Sequence, residues 1–330
     1  MQKQSNNSGH GRTHRPAVRI VNASIRRVAQ IFMPNRRQLR LGVDIGSSAV
    51  KVAVVKSPPR RAPVLLDYVI EPLPQDAVEA KHIRRVSLVN TALKAACKKL
   101  RQHPQFAYLA IPTASATTRQ ITLPSGLNAM AIEARVSLAA EEQISSATEP
   151  LCVDYCAAQD QQITLTATRQ CNVDERAKLL QGTALRAGGI DLEAYAVIRA
   201  IKLGQSANDH SNIGIVDLGE DTLNLTVLSN GQLMQARDQV LHGDLSDSQQ
   251  TADAVKRLLA LFTGSGTTAG PAQLMIGGGR ASDADLLSRI EQVTALPASR
   301  PDLSLVLKGC PEPDTAARLI TAVGLALPSG

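Results

Sequence analysis

The sequence predicts an α/β protein built from two like halves, with an α+β subdomain inserted into the first. Three observations predict it. Val43-Asp44-Ile45-Gly46 and Val216-Asp217-Leu218-Gly219 repeat one pattern, an apolar strand that ends on Asp and Gly and turns through short polar residues. Each turn leads into a second strand, with Val50, Val52 and Val54 after the first and Leu223, Leu225 and Val227 after the second. Gly277-Gly278-Gly279 then joins an apolar run, Gln273–Ile276, to a helical stripe of Leu286, Leu287, Ile290 and Val293.

Such turns expose backbone N–H groups and small hydroxyls that can hold phosphate. The residues in position to do so are Asp44, Gly46, Ser47, Ser48 and Lys51 in the first turn, and Asp217, Gly219 and Thr222 in the second. Facing each other across a cleft, Asp44 and Asp217 would flank a divalent metal such as Mg. Gly277, Gly278 and Gly279 suit close approach of backbone to a flat ligand, or simply a flexible strand–helix joint. Competing phosphate motifs fail. There is no GxxxxGK[ST] sequence, and the Gly turns lead into strands, not helices, which excludes a dinucleotide fingerprint.

Composition bounds the rest. A chain of 330 residues with 44% hydrophobic side chains supports one large or two medium domains. With 3 Phe, 4 Tyr and no Trp, a nucleic-acid surface built on aromatic stacking is not expected, and nucleic acid is not a predicted partner. No apolar run is long enough for a transmembrane helix. Five cysteines without a CxxC pair read as reduced thiols and fit a cytoplasmic protein. The net charge of +7 belongs to one end: residues 1–40 hold nine of the 36 Lys and Arg and none of the 29 acids.

That basic segment, 1–40, is expected to be a flexible tail. Within it Val18, Val21, Ile25, Val28 and Phe32 predict an amphipathic helix over 17–33. Such a helix could lie on an anionic membrane surface or pack on the protein's own body, and an acid-free, Arg-rich start also resembles a transit peptide. The first α/β half is expected over 41–112 and 169–200. It has strands at 41–55 and 64–70, a helix through Val86, Val89, Leu93 and Leu100, a strand at 106–111, a helix from Asp174 to Ala187 stopped by Gly188-Gly189, a short strand and a helix from Glu193. The inserted subdomain takes 113–168, with a strand at 117–123, a helix at 129–144 and two short strands. The second half is expected over 206–230 and 273–330, with a reduced lid over 231–272, a short strand at 303–307 and a last helix at 314–327.

The two Asp-x-Gly turns and the Gly-rich joint, in this order, resemble the actin-like ATPase superfamily, with its duplicated ribonuclease H-like fold. The resemblance implies ATP and Mg as ligands. It places Glu193, in Asp191-Leu192-Glu193-Ala194-Tyr195-Ala196, where an acid can orient the attacking water. Within the superfamily, Gly42 to Lys51, Glu71-Pro72-Leu73-Pro74, Ala110-Ile111-Pro112, the Glu193 stretch and Gly324-Leu325-Ala326-Leu327 are similar to the PilM family of type IV pilus assembly proteins, over about 41–330. The resemblance implies a cytoplasmic adaptor, peripheral at the inner membrane of a bacterium, that binds the N-terminal tail of a PilN-like membrane protein. The tail would lie in a groove between the first subdomain and its insertion, lined by Ile121, Leu123, Ile132, Val136 and Ala139, which suit a core equally well.

Two features depart from the family. Glu220 and Asp221 place two carboxylates in the second phosphate turn, where they repel a triphosphate unless a metal intervenes or they turn away. The 231–272 region is also small for a nucleotide cover. Weak or absent ATP binding is the resulting expectation. The alternative is an actin-fold ATPase or small-molecule kinase using Asp44, Asp217 and Glu193.

Overall fold

The computed structural model describes residues 18–20, 39–144, 149–157, 162–204, 212–229, 231–241, 247–263, 270–304 and 306–328. They divide into two compact units. One contains Thr117–Gln170 with the N-terminal strand, and the other contains the rest.

The N-terminal strand is β1 (Val18–Ile20). It runs parallel to Leu151–Val153, so the expected helix does not form there. Val and Ile, branched at Cβ, favour an open sheet edge over a helix at this point. The remainder of the 17–33 helix, and most of the 1–40 tail, lie outside the described residues.

In the larger unit, β2 (Leu39–Ile45), β3 (Ala49–Lys56) and β4 (Val64–Pro72) form an antiparallel meander. β5 (Val78–Glu79) and β6 (His82–Ile83) make a small hairpin, which leads to α1 (Val86–Lys99) and β7 (Phe106–Ile111). The inserted unit follows, with β8 (Ala116–Thr122), α2 (Ala129–Ile144), β9 (Leu151–Ala157) and β10 (Gln162–Arg169). Its sheet order is β1-β9-β10-β8, and α2 packs on it through Val136 and Ala140 against Leu151, Val153 and Leu165.

The chain returns through α3 (Gln170–Lys178), β11 (Arg186–Leu192) and α4 (Glu193–Gly204). The helix expected over 174–187 is therefore shorter and earlier. Residues 186–192 instead pair in parallel with Phe106–Ile111, and the Tyr108 ring covers Gly188. Pairing along a whole strand outweighs a local helical pattern.

The second half repeats the first. β12 (Ile213–Leu218), β13 (Thr222–Ser229) and β14 (Gln232–Val240) form a meander, followed by α5 (Ser248–Thr263), β15 (Gln273–Gly277), α6 (Ala284–Thr294), β16 (Ala298–Ser299), α7 (Pro313–Arg318) and α8 (Ile320–Ala326). The sheet orders are β11-β7-β2-β3-β4 and β14-β13-β12-β15-β16. In each, the first meander strand also pairs in parallel with the fourth strand, and the fourth with the fifth, so the topologies are identical.

Three expectations change in this half. β14 is the edge strand of the second sheet, and α5 buries Val255, Leu258 and Phe262 in that sheet's own core, so the described residues of 231–272 supply core to the second half. The final helix breaks at Leu319 into α7 and α8. Among the described residues of 303–307 there is turn and bend at Ser304, Val306 and Leu307 and no strand, and Lys308 makes an isolated bridge to Val64.

The two halves share a core. Val197, Ile198 and Ile201 of α4 and Ile320 and Val323 of α8 lie together with Val55 and Ile215. α4 and α8 approach so closely that a Cβ at Gly324 would sit 1.8 Å from the Ala196 carbonyl oxygen. Only glycine permits that crossing.

A candidate phosphate-turn site with paired charges

The two turns have the same backbone. The Gly46 N–H donates to the Ala49 carbonyl (3.0 Å), and the Gly219 N–H donates to the Thr222 carbonyl (2.8 Å). Each turn joins two antiparallel strands whose register sets the residue opposite the Asp: Lys51 faces Asp44, and Asn224 faces Asp217. Gly277 pairs with Asp217 across β15. Gly278 follows at φ +98°, where an added Cβ would lie 2.4 Å from an Asp217 carboxylate oxygen. Sequence-expected residues from both halves thus meet at one place. Gly279 has open space around it, and Ser48 is exposed at the rim.

The charges are already paired. Lys51 Nζ lies 3.1 Å from Asp44. Burial alone would lower the Lys51 pKa, but the Asp44 and Asp217 carboxylates outweigh it and leave it raised. A second lysine, which the sequence reading did not single out, enters from the β5–β6 hairpin. The Lys81 ammonium bonds Glu193 at the start of α4 and lies 3.5 Å from Asp238 on β14. Burial opposes its charge too, yet Glu193, Asp238 and Asp217 raise its pKa well above the ordinary value. Burial raises the carboxyls of Glu193 and Asp217, and Lys81 partly counters it in both. Glu193 is therefore an ion-pair partner of Lys81 in this arrangement.

The carboxylates are also held by neutral donors. The other Asp238 oxygen accepts the Ala114 N–H at 2.8 Å, and Asn224 donates to the oxygen that faces Lys81. Asp221 reaches from the second turn into the first half. One of its oxygens accepts the Ser47 hydroxyl, and the other accepts the Ala80 N–H at 2.7 Å. Arg176, almost fully buried, donates to the Ala110 and Lys81 carbonyls and so supports the hairpin from below.

The hairpin is strained. Ala80 and Lys81 form its two-residue turn at φ +47° and +65°. A type I′ turn of this kind ordinarily takes Asn-Gly, and each non-glycine residue there costs roughly 1–2 kcal/mol. That absent turn signal left Lys81 unmarked in the sequence. A charged residue on an edge strand was the only sign of Asp238.

The groove residues fall in the inserted unit. Leu123, Val136 and Ala139 are buried in its core, while Ile121 and Ile132 are only partly buried. On α2 the side chains of Met130 and Leu138 are exposed, Met130 by 80%. Among the described residues the five cysteines form no disulfide, and no helix is long and apolar enough to cross a membrane.

Two ribonuclease H-like halves of identical topology, whose Asp-x-Gly turns meet where Ser47 bonds Asp221, define the actin-like ATPase fold. The chain belongs to the family described as type IV pilus assembly protein PilM, whose pattern matches residues 42–249. It is similar to the solved PilM–PilN type IV pilus biogenesis complex, at 18% identity over 87% of this chain and 97% of that one, with a TM-score of 0.72. Weaker likenesses include a Bacteroides thetaiotaomicron protein of actin-like ATPase fold (11% identity, 90% and 100% of the two chains, TM-score 0.48). Another is the cytoplasmic domain of EpsL, an inner-membrane component of the Vibrio cholerae type II secretion system (10% identity, 87% and 92%, TM-score 0.47).

Proposed function

We propose that this protein is a pilus-assembly adaptor. It receives the cytoplasmic N-terminal tail of a PilN-like membrane protein and works without a nucleotide cycle, in the cytoplasm at the inner membrane. Membership of the PilM family over 42–249 carries the reading. The likeness to a PilM–PilN complex supports the choice of partner. The inserted unit is the docking element, because Ile121 and Ile132 are only partly buried and α2 separately exposes Met130 and Leu138. Leu123, Val136 and Ala139 support that surface from the core. Residues 17–33 are proposed as an additional membrane-surface contact, through Arg19, Arg26 and Arg27.

The absence of a nucleotide cycle is proposed from the donor set. Mg·ATP needs hydroxyl and N–H donors aimed at phosphate and carboxylates with spare lone pairs for the metal. Ser47 already donates to Asp221, Asp44 is paired with Lys51, and Glu193 is paired with Lys81. Those residues do not suit Mg·ATP, and no catalytic step is assigned to them.

Calorimetric titration with the synthetic N-terminal tail of the cognate membrane protein tests the adaptor reading. Saturable one-to-one binding is expected, weakened about tenfold or more by Ile132→Asp, which puts a charge into an apolar contact. Absence of binding to the wild type refutes the adaptor.

A further inference from the structure

The cleft carries more than an unsuitable donor set, because its charges form a complementary pair of inserts that link the two halves. Lys81 is a compact point charge with three donors. It sits between Glu193 of the first half and Asp238 of the second, with Asp217 also acting on it. That is the arrangement a bridging divalent cation would have. Asp221 is an anion from the second half that takes one hydroxyl and one backbone N–H of the first, Ser47 and Ala80. That is the donor set a phosphate oxygen would use. The hairpin holding Lys81 and Ala80 keeps two non-glycine residues at positive φ. Strain of that kind persists only where surrounding contacts enforce it.

We propose that the β5–β6 hairpin is a built-in ligand of the cleft. Lys81 takes the place of the metal, Asp221 takes the place of the phosphate, and together they fasten the two halves in one closed arrangement. The inference rests on the reading that the cleft works without nucleotide. It adds that the closure which a nucleotide would bring is permanent here, so the first half always presents the same shape to a partner.

The test uses the full chain and no tail peptide, so its failure is distinct from failure of the adaptor reading. Thermal unfolding is compared for the wild type, Lys81→Met, and Lys81→Met combined with Glu193→Gln and Asp238→Asn. Lys81→Met is expected to lower Tm, and neutralising its two partners is expected to restore most of the loss. A merely structural lysine stem predicts the reverse, since methionine keeps its bulk and the added changes would only accumulate. An unchanged Tm in Lys81→Met, or additive losses in the triple variant, overturns the proposal.

If Lys81→Met does not fold, Asp221→Asn decides by hydrogen exchange. Amides of 78–83 and 219–222 are expected to exchange together about tenfold faster, the effect of losing one charge-assisted bond. Unchanged exchange contradicts the fastening. A wild-type titration with Mg·ATP is the third arm. No saturable heat is expected, and stoichiometric binding overturns the built-in ligand.

Discussion

Lys81 is the residue on which the cleft turns, and its removal has a calculable sign. Taking one partner from a buried charge cluster costs about 3–5 kcal/mol, because Glu193 and Asp238 lose the ammonium between them. That cost depends on their ionisation. Burial raises the Glu193 and Asp217 carboxyls above their ordinary range while Lys81 counters the rise, so losing Lys81 raises them further. A group with a raised folded-state pKa favours the fold at low pH and loses that contribution as pH climbs through the folded value. The Tm difference between wild type and Lys81→Met is therefore expected to be largest near about pH 8 and to shrink toward about pH 5, as protonated carboxyls cease to need the ammonium. Unfolding scans across that range check it. Asp44, Lys51, Asp238 and Arg176 also face the cluster and set its baseline in both proteins. At Gly278 the expectation is simpler. Gly278→Ala places a Cβ on the Asp217 carboxylate at φ +98° and should cost about 1–3 kcal/mol in denaturant unfolding.

Among the elements, those whose pattern and tertiary pairing agree were legible in the sequence. β12 and β13 are almost wholly buried, α2 runs from Ala129 to Ile144 as its spacing predicts, and the two Asp-x-Gly turns superpose in hydrogen bonding. The misread elements are those where a remote partner decided the matter. Arg186 and Ala187 end a helical pattern until β7 is beside them, although 190–192 already read as a short strand; Val18–Ile20 follows helical spacing until the β9 edge receives it, and the Val78–Ile83 hairpin has no Gly or Asn to announce it. Asp221 shows the same limit. Its charge and its repulsion of a phosphate are local properties, whereas the Ser47 hydroxyl it meets lies 174 positions away in the chain. The inserted unit has its own core, which yields a prediction at this scale. Leu165→Ala, at a fully buried position, should cost about 2–5 kcal/mol, with faster hydrogen exchange confined to β8–β10 and α2.

For the whole molecule, duplication is the organising fact. Two sheets of one topology are joined by α4 and α8, and the helices meet at a contact where only a glycine fits. Gly324→Val should push the helices apart at the shared core and cost about 3 kcal/mol, with the losses falling on both halves. Loss restricted to one half would mean that the shared core does not couple them. Where the two halves meet, Lys51, Lys81 and Ser47 are each engaged by a carboxylate of the protein itself. Independence of partner binding from nucleotide is tested by the affinity of the full chain for the PilN-like tail peptide, titrated with and without millimolar Mg·ATP. Saturable binding with the same Kd in both conditions is expected. No binding, or a Kd that shifts about tenfold on adding Mg·ATP, would contradict it.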